Sequence, residues 1–268
     1  MNIALVQLQP VAGEPEQNRD QAVAQISQAS DKGADLVVLP ELFTVGYFAF
    51  DAYESCAEAF EGPTVDRLTK AAIEHEVAIL GGSFIEDLAA TSTVETPNES
   101  GLANTSVLID AGGAIRAWYR KRHLFGYESE EATRLVAGDT IGVAELDGFT
   151  IGITTCFDLR FPELYAEYLN AGVTLMLVPS AWPSPRPLHW ETLTRARAIE
   201  NQWYLVAVNG AGTVAGVDLL GHSAMYDPWG QTVVSLGEAA SMDIGEANAN
   251  TVEQIRVEFP VVSKRLRD

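Results

Sequence analysis

Cys156 is the residue of this sequence best placed to act as a nucleophile. It follows a β-branched run at residues 150–155, which predicts a buried strand, and Pro162 after it predicts the first turn of a helix. Backbone N–H groups and the dipole at a helix start favour a thiolate, the form that attacks carbonyl carbons. The position therefore predicts a lowered pKa for the Cys156 thiol, although a lone cysteine after a strand is more often a structural residue.

Two further strand ends carry residues that could act together with Cys156. Glu41 follows the apolar run at residues 36–39, and Lys121 lies in a basic run that follows a predicted hairpin. Taken alone, the acid is explained as a cap or a surface residue and the basic run as a solvated surface. In layered α/β folds, however, the carboxyl ends of neighbouring strands converge on one crevice. The three side chains are therefore predicted to meet.

Signatures of several other kinds of site are absent from the sequence, which has no G-x-S-x-G, H-E-x-x-H or G-x-x-x-x-G-K-[ST] motif. The glycines within residues 210–216 have the wrong spacing for a dinucleotide loop and predict a turn. Four histidines are far apart in the sequence and have no second ligand at metal spacing: His75, His123, His189 and His222. We therefore expect neither a metal nor an organic cofactor.

The composition is that of a globular protein with a large excess of acid. Of 268 residues, 47% are hydrophobic and 20% are charged, and the formal net charge is −20. Such a charge repels phosphate backbones and anionic membranes, so nucleic-acid and membrane partners are not expected. The start of the chain reads as a strand, no apolar run is long enough to cross a bilayer, and the two cysteines fit a reducing compartment. The expected location is cytoplasmic.

Strands alternate with helical segments over the first two hundred residues, and hairpins are interspersed among them. This mixture predicts two sheets of mixed direction between helix layers, in one domain that covers residues 1–268. A polar stretch at residues 88–101 predicts an exposed loop. The predicted strands are residues 2–8, 36–39, 77–80, 104–109, 114–119, 143–146, 149–155, 173–178, 204–208, 219–226 and 232–236.

Six motifs resemble the nitrilase superfamily of carbon–nitrogen hydrolases, and together they cover nearly the whole chain in the family's order. They are L-P-E-L-F around Glu41, Y-R-K-R-H-L-F around Lys121, C-F-D-L-R-F-P-E-L-Y from Cys156, P-S-A-W, R-A-R-A-I-E-N and D-P-W-G. The resemblance implies an α/β fold, a four-layer-forming α-β-β-α sandwich with two mixed sheets. It also implies a homodimer or higher homo-oligomer, for which the helix after Pro162 and the C-terminal segment are the candidate interfaces.

The resemblance also implies a role for each residue at the strand ends. Cys156 would be the nucleophile, Glu41 the general base and Lys121 the group that stabilises the tetrahedral oxyanion. The N–H of Phe157, just inside the turn after the cysteine, is a candidate second donor to that oxyanion. With these roles the chain would cleave an amide with water through a thioester on Cys156.

A second glutamate follows the lysine in this family, where it positions the substrate and assists the base. Counting back from residues 138–139 by the family's usual interval places it at Glu131. Glu130 and Glu128 are alternatives, because the loop after Lys121 is shorter here than in many members.

The residues after the cysteine resemble the amidase branches, among them ω-amidases, whereas true nitrilases usually have Trp-Glu-Asn there. The expected enzyme is a cysteine amidohydrolase that converts small aliphatic amides, ω-amides of dicarboxylates included, to a carboxylic acid and ammonia. An N-carbamoyl-amine or N-carbamoyl-amino-acid amidohydrolase and a nitrilase on the same scaffold are the alternatives.

Several residues are candidates for substrate contacts. Arg160 could hold a substrate carboxylate through two hydrogen bonds, or it could instead brace its loop through Glu163 or another acid. Tyr47 and Trp182 are candidates for the wall of a small pocket. Four other aromatic residues are candidates for the same pocket, although most of the six are expected in the core. The four are Phe43, Phe125, Tyr127 and Trp203.

Overall fold

Short apolar runs form the strands of two mixed sheets. The computed structural model describes residues 1–127 and 129–265. The first sheet contains β1 (Asn2–Gln7), β2 (Leu36–Val38), β3 (Ala78–Leu80), β4 (Phe84–Asp87), β5 (Leu102–Ile109), β6 (Ile115–Arg120) and β15 (Ser241–Glu246). The second contains β7 (Gly142–Leu146), β8 (Phe149–Ile153), β9 (Leu175–Ser180), β10 (Tyr204–Asn209), β13 (Ala224–Tyr226) and β14 (Thr232–Ser235). A separate small hairpin joins β11 (Thr213–Val214) and β12 (Val217–Asp218).

Each sheet has a parallel centre and antiparallel edges. In the first, the order is β15-β1-β2-β3-β5, and β5 also pairs with β4 and β6. In the second, the order is β14-β13-β10-β9-β8-β7. Strands β1, β2 and β3 are parallel, as are β8, β9 and β10. Strand β6 is antiparallel to β5, and β5 is antiparallel to β3, so β6 runs in the same direction as β2 and β3. The strands β2, β6, β8 and β9 can therefore all end near one crevice.

Helices connect the strands and cover the sheets. They are α1 (Pro15–Asp31), α2 (Tyr53–Cys56), α3 (Pro63–His75), α4 (Glu131–Arg134), α5 (Pro162–Asn170), α6 (Pro187–Asn201), α7 (Ala249–Glu258) and α8 (Val262–Arg265). Four of them, α1, α3, α5 and α6, begin with proline, whose fixed φ and missing N–H suit the first turn. Within the described part of the chain, no helix combines the length and the apolar character needed to span a membrane.

The alternation of side chains along each strand separates three hydrophobic layers. On β1, Ile3 and Leu5 point into the core between the sheets, while Ala4 and Val6 pack with residues of α1 and α3 on the opposite face. The outer face of the second sheet packs in the same way against α5 and α6. The layers therefore follow the order α-β-β-α, which confirms the expected fold. The single domain over residues 1–268 and the homo-oligomer stay predictions.

Several strands differ from the prediction. Strands β4, β11, β12 and β15 were not predicted, and the strand expected at residues 219–226 is confined to β13. In β15 most side chains are exposed or half-buried, so its sequence, S-M-D-I-G-E, carries no continuous apolar signal. The polar stretch at residues 88–101 contains no helix and no strand, as expected for a loop.

A buried ion pair fixes the end of β6, directly before Lys121. Arg120 donates from Nε to Oε2 of Glu86 over 2.7 Å and from a terminal nitrogen to Oε1 over 2.9 Å. Thr105 and Thr91 donate to the same carboxylate over 2.6 and 2.9 Å. The side chain of Glu86 is fully buried, and that of Arg120 is only 7% exposed.

We expect Glu86→Leu to lower the free energy of unfolding by about 3–5 kcal/mol, because it leaves the buried Arg120 guanidinium without a carboxylate to balance its charge. The double variant Glu86→Leu/Arg120→Met should lose much less, since both charges are removed together. Urea unfolding followed by circular dichroism measures both values. A single variant as stable as the wild type would contradict this account of the ion pair.

Candidate active site

Glu41 is placed by a segment that crosses from the first sheet to the second. After β2, the N–H of Leu39 still donates to Leu80 of β3, but the N–H of Glu41 donates to the carbonyl of Ser180 at the end of β9, over 3.3 Å. Gly82 lets the chain pass here, because a Cβ at that position would collide with the carbonyl oxygen of Pro40. The Glu41 carboxylate is consequently buried between the two sheets.

Lys121 follows β6, and its side chain is completely buried. Its backbone N–H donates to the carbonyl of Asn104 on β5 over 2.9 Å, which continues the hairpin pairing beyond the last residue of β6. The ammonium Nζ lies 2.8 Å from Oε1 of Glu41 and 2.9 Å from each carboxylate oxygen of Glu131. One buried cation therefore holds two buried carboxylates.

Glu131 is the glutamate that reaches this cluster. Its carboxylate also accepts hydrogen bonds from the hydroxyl of Tyr47, over 3.0 Å, and from the N–H of Phe125, over 2.7 Å. Glu130 instead pairs with Arg134 on the surface. The remaining alternative, Glu128, lies outside the described residues.

Asn104 belongs to the cluster and was missed in the sequence analysis. Its Nδ2 donates to Oε1 of Glu41 over 2.9 Å and to Oε1 of Glu131 over 3.1 Å. One amide therefore fixes the spacing of the two carboxylates. The pairing of the hairpin strands is the signal that could have identified it. Thr105 lies opposite Arg120, so the next residues along, Asn104 and Lys121, lie opposite each other.

Cys156 begins a tight 3₁₀ turn, Cys156–Arg160, directly after the chain leaves β8. Its φ is +46°, a left-handed conformation that is uncommon for residues other than glycine. The residue is 8% exposed, and its thiol lies beside Glu41 and the N–H of Ala181, both of which act on its pKa. That same N–H donates to Oε2 of Glu41 over 2.8 Å.

Asp158 joins the turn of the cysteine to the segment that carries Lys121. Its buried carboxylate accepts hydrogen bonds from the Tyr119 hydroxyl at 2.7 Å and from the N–H of Thr155 at 2.9 Å. It also accepts from the N–H of His123 at 3.1 Å and lies 2.7 Å from its ring Nδ1. Residues on both sides of Lys121 are thus tied to a residue two positions after Cys156.

Burial raises the pKa of the Cys156 thiol well above its ordinary value, and the negative charge of Glu41 raises it further. Lys121 and the N–H of Ala181 act in the opposite direction but do not outweigh these two causes. The expectation of a lowered thiol pKa was therefore wrong. A five-residue 3₁₀ turn does not compensate a thiolate that is cut off from water beside a carboxylate.

The two groups that flank the thiol are shifted as well. Burial raises the pKa of Glu41, although the charge of Lys121 opposes this effect. Burial alone would lower the pKa of Lys121, but the charges of Glu131 and Glu41 raise it well above its ordinary value. Lys121 is therefore a permanent ammonium at neutral pH, whereas Glu41 is a stronger base than an exposed glutamate.

A pocket of about 330 Å³, its open mouth included, leads to the thiol. The predicted contact residues lie together in its wall, with Phe125 among them: Tyr47, Phe125, Cys156, Phe157, Arg160 and Trp182. The other aromatic candidates lie elsewhere, since Phe43 and Trp203 are in the core and Tyr127 is 66% exposed.

Arg160 faces this pocket without a carboxylate partner. Its guanidinium lies 4.7 Å from the ring centre of Trp182, and one of its nitrogens lies 3.3 Å from Nδ1 of His189. Among residues 1–127 and 129–265, neither Glu163 nor any other acid comes within ion-pair distance of Arg160. Within that part of the chain, Arg160 therefore has no acid through which it could brace its loop.

The chain is similar to known proteins in both sequence and structure. The carbon-nitrogen hydrolase family model matches residues 2–257. A 2-oxoglutaramate amidase of Paenarthrobacter nicotinovorans is 36% identical, over 88% of this chain and 79% of the relative. A 2-oxoglutaramate amidase of Bacillus subtilis is 33% identical, over 99% of this chain and 98% of the relative. A crystal structure of a CN-hydrolase superfamily protein from Xanthomonas campestris, with an arsenic adduct in its active site, superimposes with a TM-score of 0.88 at 32% identity and covers 98% of this chain and 96% of that one.

Alkylation by iodoacetamide should report the raised pKa of Cys156. In a Cys56→Ser background, where Cys156 is the one remaining thiol, the rate should rise with pH to a midpoint above the usual thiol value of about 8.5. Glu41→Gln should move that midpoint down, because it removes a negative charge and leaves the Lys121 cation in place. Mass spectrometry of the alkylated fraction gives the rates. A folded-state midpoint at or below that of the urea-unfolded chain would contradict the burial effect.

Proposed function

The chain belongs to the carbon–nitrogen hydrolase family and is an amidase, and on this premise we propose that it hydrolyses ω-amides of dicarboxylates through a thioester on Cys156. The observation that carries the mechanism is the buried ion cluster beside the thiol, in which Lys121 contacts both Glu41 and Glu131 within 2.9 Å. It supplies a base and a cation in a dry site, where both act more strongly than in water.

In the first half of the reaction, the sulfur of Cys156 attacks the carbonyl carbon of the amide while Glu41 takes the thiol proton. The oxyanion is stabilised by Lys121 and by the N–H of Phe157, which has no acceptor inside its own turn because it lies at the start. One N–H group of Lys121 can serve both oxygens of Glu131 and a second serves Glu41, which leaves the third for the oxyanion. The C–N bond then breaks, Glu41 returns the proton to the leaving nitrogen, and ammonia departs.

In the second half, Glu41 takes a proton from a water molecule that attacks the thioester carbonyl. The second tetrahedral intermediate uses the same two donors, and the C–S bond breaks as the carboxylic acid forms. The proton on Glu41 returns to the sulfur, so that the neutral thiol is restored. Glu131 receives four hydrogen-bond donors, among them Tyr47 and Asn104, and is therefore assigned to positioning Lys121 rather than to proton transfer.

The substrate assignment rests on the chemistry of the pocket. Its aromatic wall suits a short aliphatic chain, while Arg160 presents a guanidinium that has no acidic partner in the described structure. Guanidinium groups bind carboxylates through two parallel hydrogen bonds. An amide at one end of the substrate and a carboxylate at the other would match Cys156 and Arg160. Two relatives named 2-oxoglutaramate amidase support the same class of substrate.

Ammonia release from a panel of substrates tests this function. We expect monoamides of succinate and glutarate, with or without a 2-oxo group, to be hydrolysed faster than neutral amides of equal length. Cys156→Ala should reduce kcat by at least about 10⁴-fold, because no other group can form the acyl intermediate. Cys56→Ser, the matched change at the other cysteine, should retain wild-type rates, since Cys56 lies outside the pocket.

Two further arms separate the alternative reactions. N-carbamoyl substrates would yield carbon dioxide together with ammonia, and aliphatic nitriles would yield ammonia without any amide being supplied. A preference for either class over the monoamides would overturn the substrate assignment but leave the thioester mechanism intact. Wild-type turnover by Cys156→Ala would overturn the mechanism itself.

A further inference from the structure

A second arginine, Arg186, lines the same pocket as Cys156 and Arg160. It was not among the predicted site residues. Among the residues that the structure describes, it forms no ion pair within 4.0 Å. Asp218 lies with it around the outer mouth, but that carboxylate accepts a hydrogen bond from the Thr213 hydroxyl, over 2.5 Å. Within the described residues, these two neighbouring arginines both lack a carboxylate partner, although the sequence contains 37 acidic residues.

The backbone of Arg186 is held rigidly. It lies between Pro185 and Pro187, which restrict the local conformation, and Pro187 begins α6. The Arg186 carbonyl accepts hydrogen bonds from Nε1 of Trp182, over 3.1 Å, and from the N–H of Trp190, over 3.2 Å. A binding group on such a support loses little conformational entropy when its ligand arrives.

Aromatic rings support both guanidinium groups. Arg160 lies 4.7 Å from the ring centre of Trp182 and 5.8 Å from that of Phe157, and Arg186 lies 5.7 Å from that of Phe125. An arginine that rests on a ring keeps the N–H groups at its edge available to a planar acceptor. The two cations are also close enough for Arg186 to lower the pKa of Arg160, after the larger effect of burial.

The charges of the site explain why one arginine would not suffice. With both glutamates ionised, Glu41, Glu131 and Lys121 leave one net negative charge beneath the pocket. That negative charge repels a substrate carboxylate. Arg160 alone would only neutralise the site and would leave no net positive charge to attract the carboxylate. With Arg186 present, the empty site carries one positive charge, which a single carboxylate neutralises.

We propose that Arg160 and Arg186 share the carboxylate of the substrate, and that Arg186 selects carboxylate-bearing amides over neutral amides of the same length. This assignment deepens the proposed function and rests on it. Because the two arginines stand at the mouth and the thiol at the base, the carboxylate would be held at the end of the substrate remote from the amide.

Substrate selectivity and ligand protection test the role of Arg186 separately. In Arg186→Gln, the ratio of kcat/KM for glutaric monoamide to that for pentanamide should fall about tenfold, the effect of one charge-assisted hydrogen bond. Arg186→Lys, which keeps the charge but loses the planar fork, should fall between Arg186→Gln and the wild type. Arg116→Gln on the exposed start of β6 is the matched control and should leave the ratio unchanged.

Protection needs no turnover. Glutarate should slow alkylation of Cys156 by iodoacetamide in the wild type, and about tenfold more glutarate should be needed in Arg186→Gln. A wild-type thiol that glutarate does not protect, or an Arg186→Gln variant with unaltered protection, would overturn the inference. Protection without any hydrolysis of monoamides would instead refute the proposed function and leave the carboxylate site standing.

Discussion

The whole site depends on one buried ammonium. Lys121 is enclosed, and it is tolerated there only because Glu41 and Glu131 lie within hydrogen-bonding distance on either side. Each buried carboxylate in turn needs the cation to balance its charge, and Asn104 donates a hydrogen bond to both carboxylates. The hairpin of β5 and β6, the crossing segment after β2 and the short helix α4 all deliver members of this group. Much of the fold around the crevice therefore serves to position the charged groups of Lys121, Glu41 and Glu131.

The same burial determines how the nucleophile is used. A thiol that is neutral at rest reacts slowly with oxidants and stray electrophiles, because the thiolate is the reactive form. In the proposed mechanism, the proton leaves Cys156 only when a carbonyl is in place and Glu41 can accept it. Activation then depends on a neighbouring base rather than on a stabilised thiolate, and the raised pKa of Glu41 suits it to act as a base near neutral pH.

The sequence could predict the layers of the fold and the meeting of Glu41, Lys121 and Cys156, because apolar runs mark buried strands and strand ends converge. It could not predict the direction of the thiol pKa, which depends on how deeply the turn is buried. Asn104 was hidden inside a strand, and only the hairpin register reveals that it faces Lys121. The edge strand β15 carries too little apolar sequence to be recognised, since most of its side chains stay in contact with water.

The active site is divided between the two sheets, and this has a consequence for how the chain acquires activity. Glu41 and Lys121 extend from the first sheet and Cys156 from the second, and the bond from Ala181 to Glu41 joins residues 140 positions apart. Contacts of such high sequence separation are slow to form, because the chain must first close a long loop. A nascent chain that has formed only β1 to β6 of the first sheet carries the proposed base and cation but not the proposed nucleophile, because Cys156 and the last strand of that sheet, β15, come later in the chain. Under the proposed mechanism, chemical competence therefore arises with the docking of the sheets, and hydrolysis starts only in a chain whose core is complete.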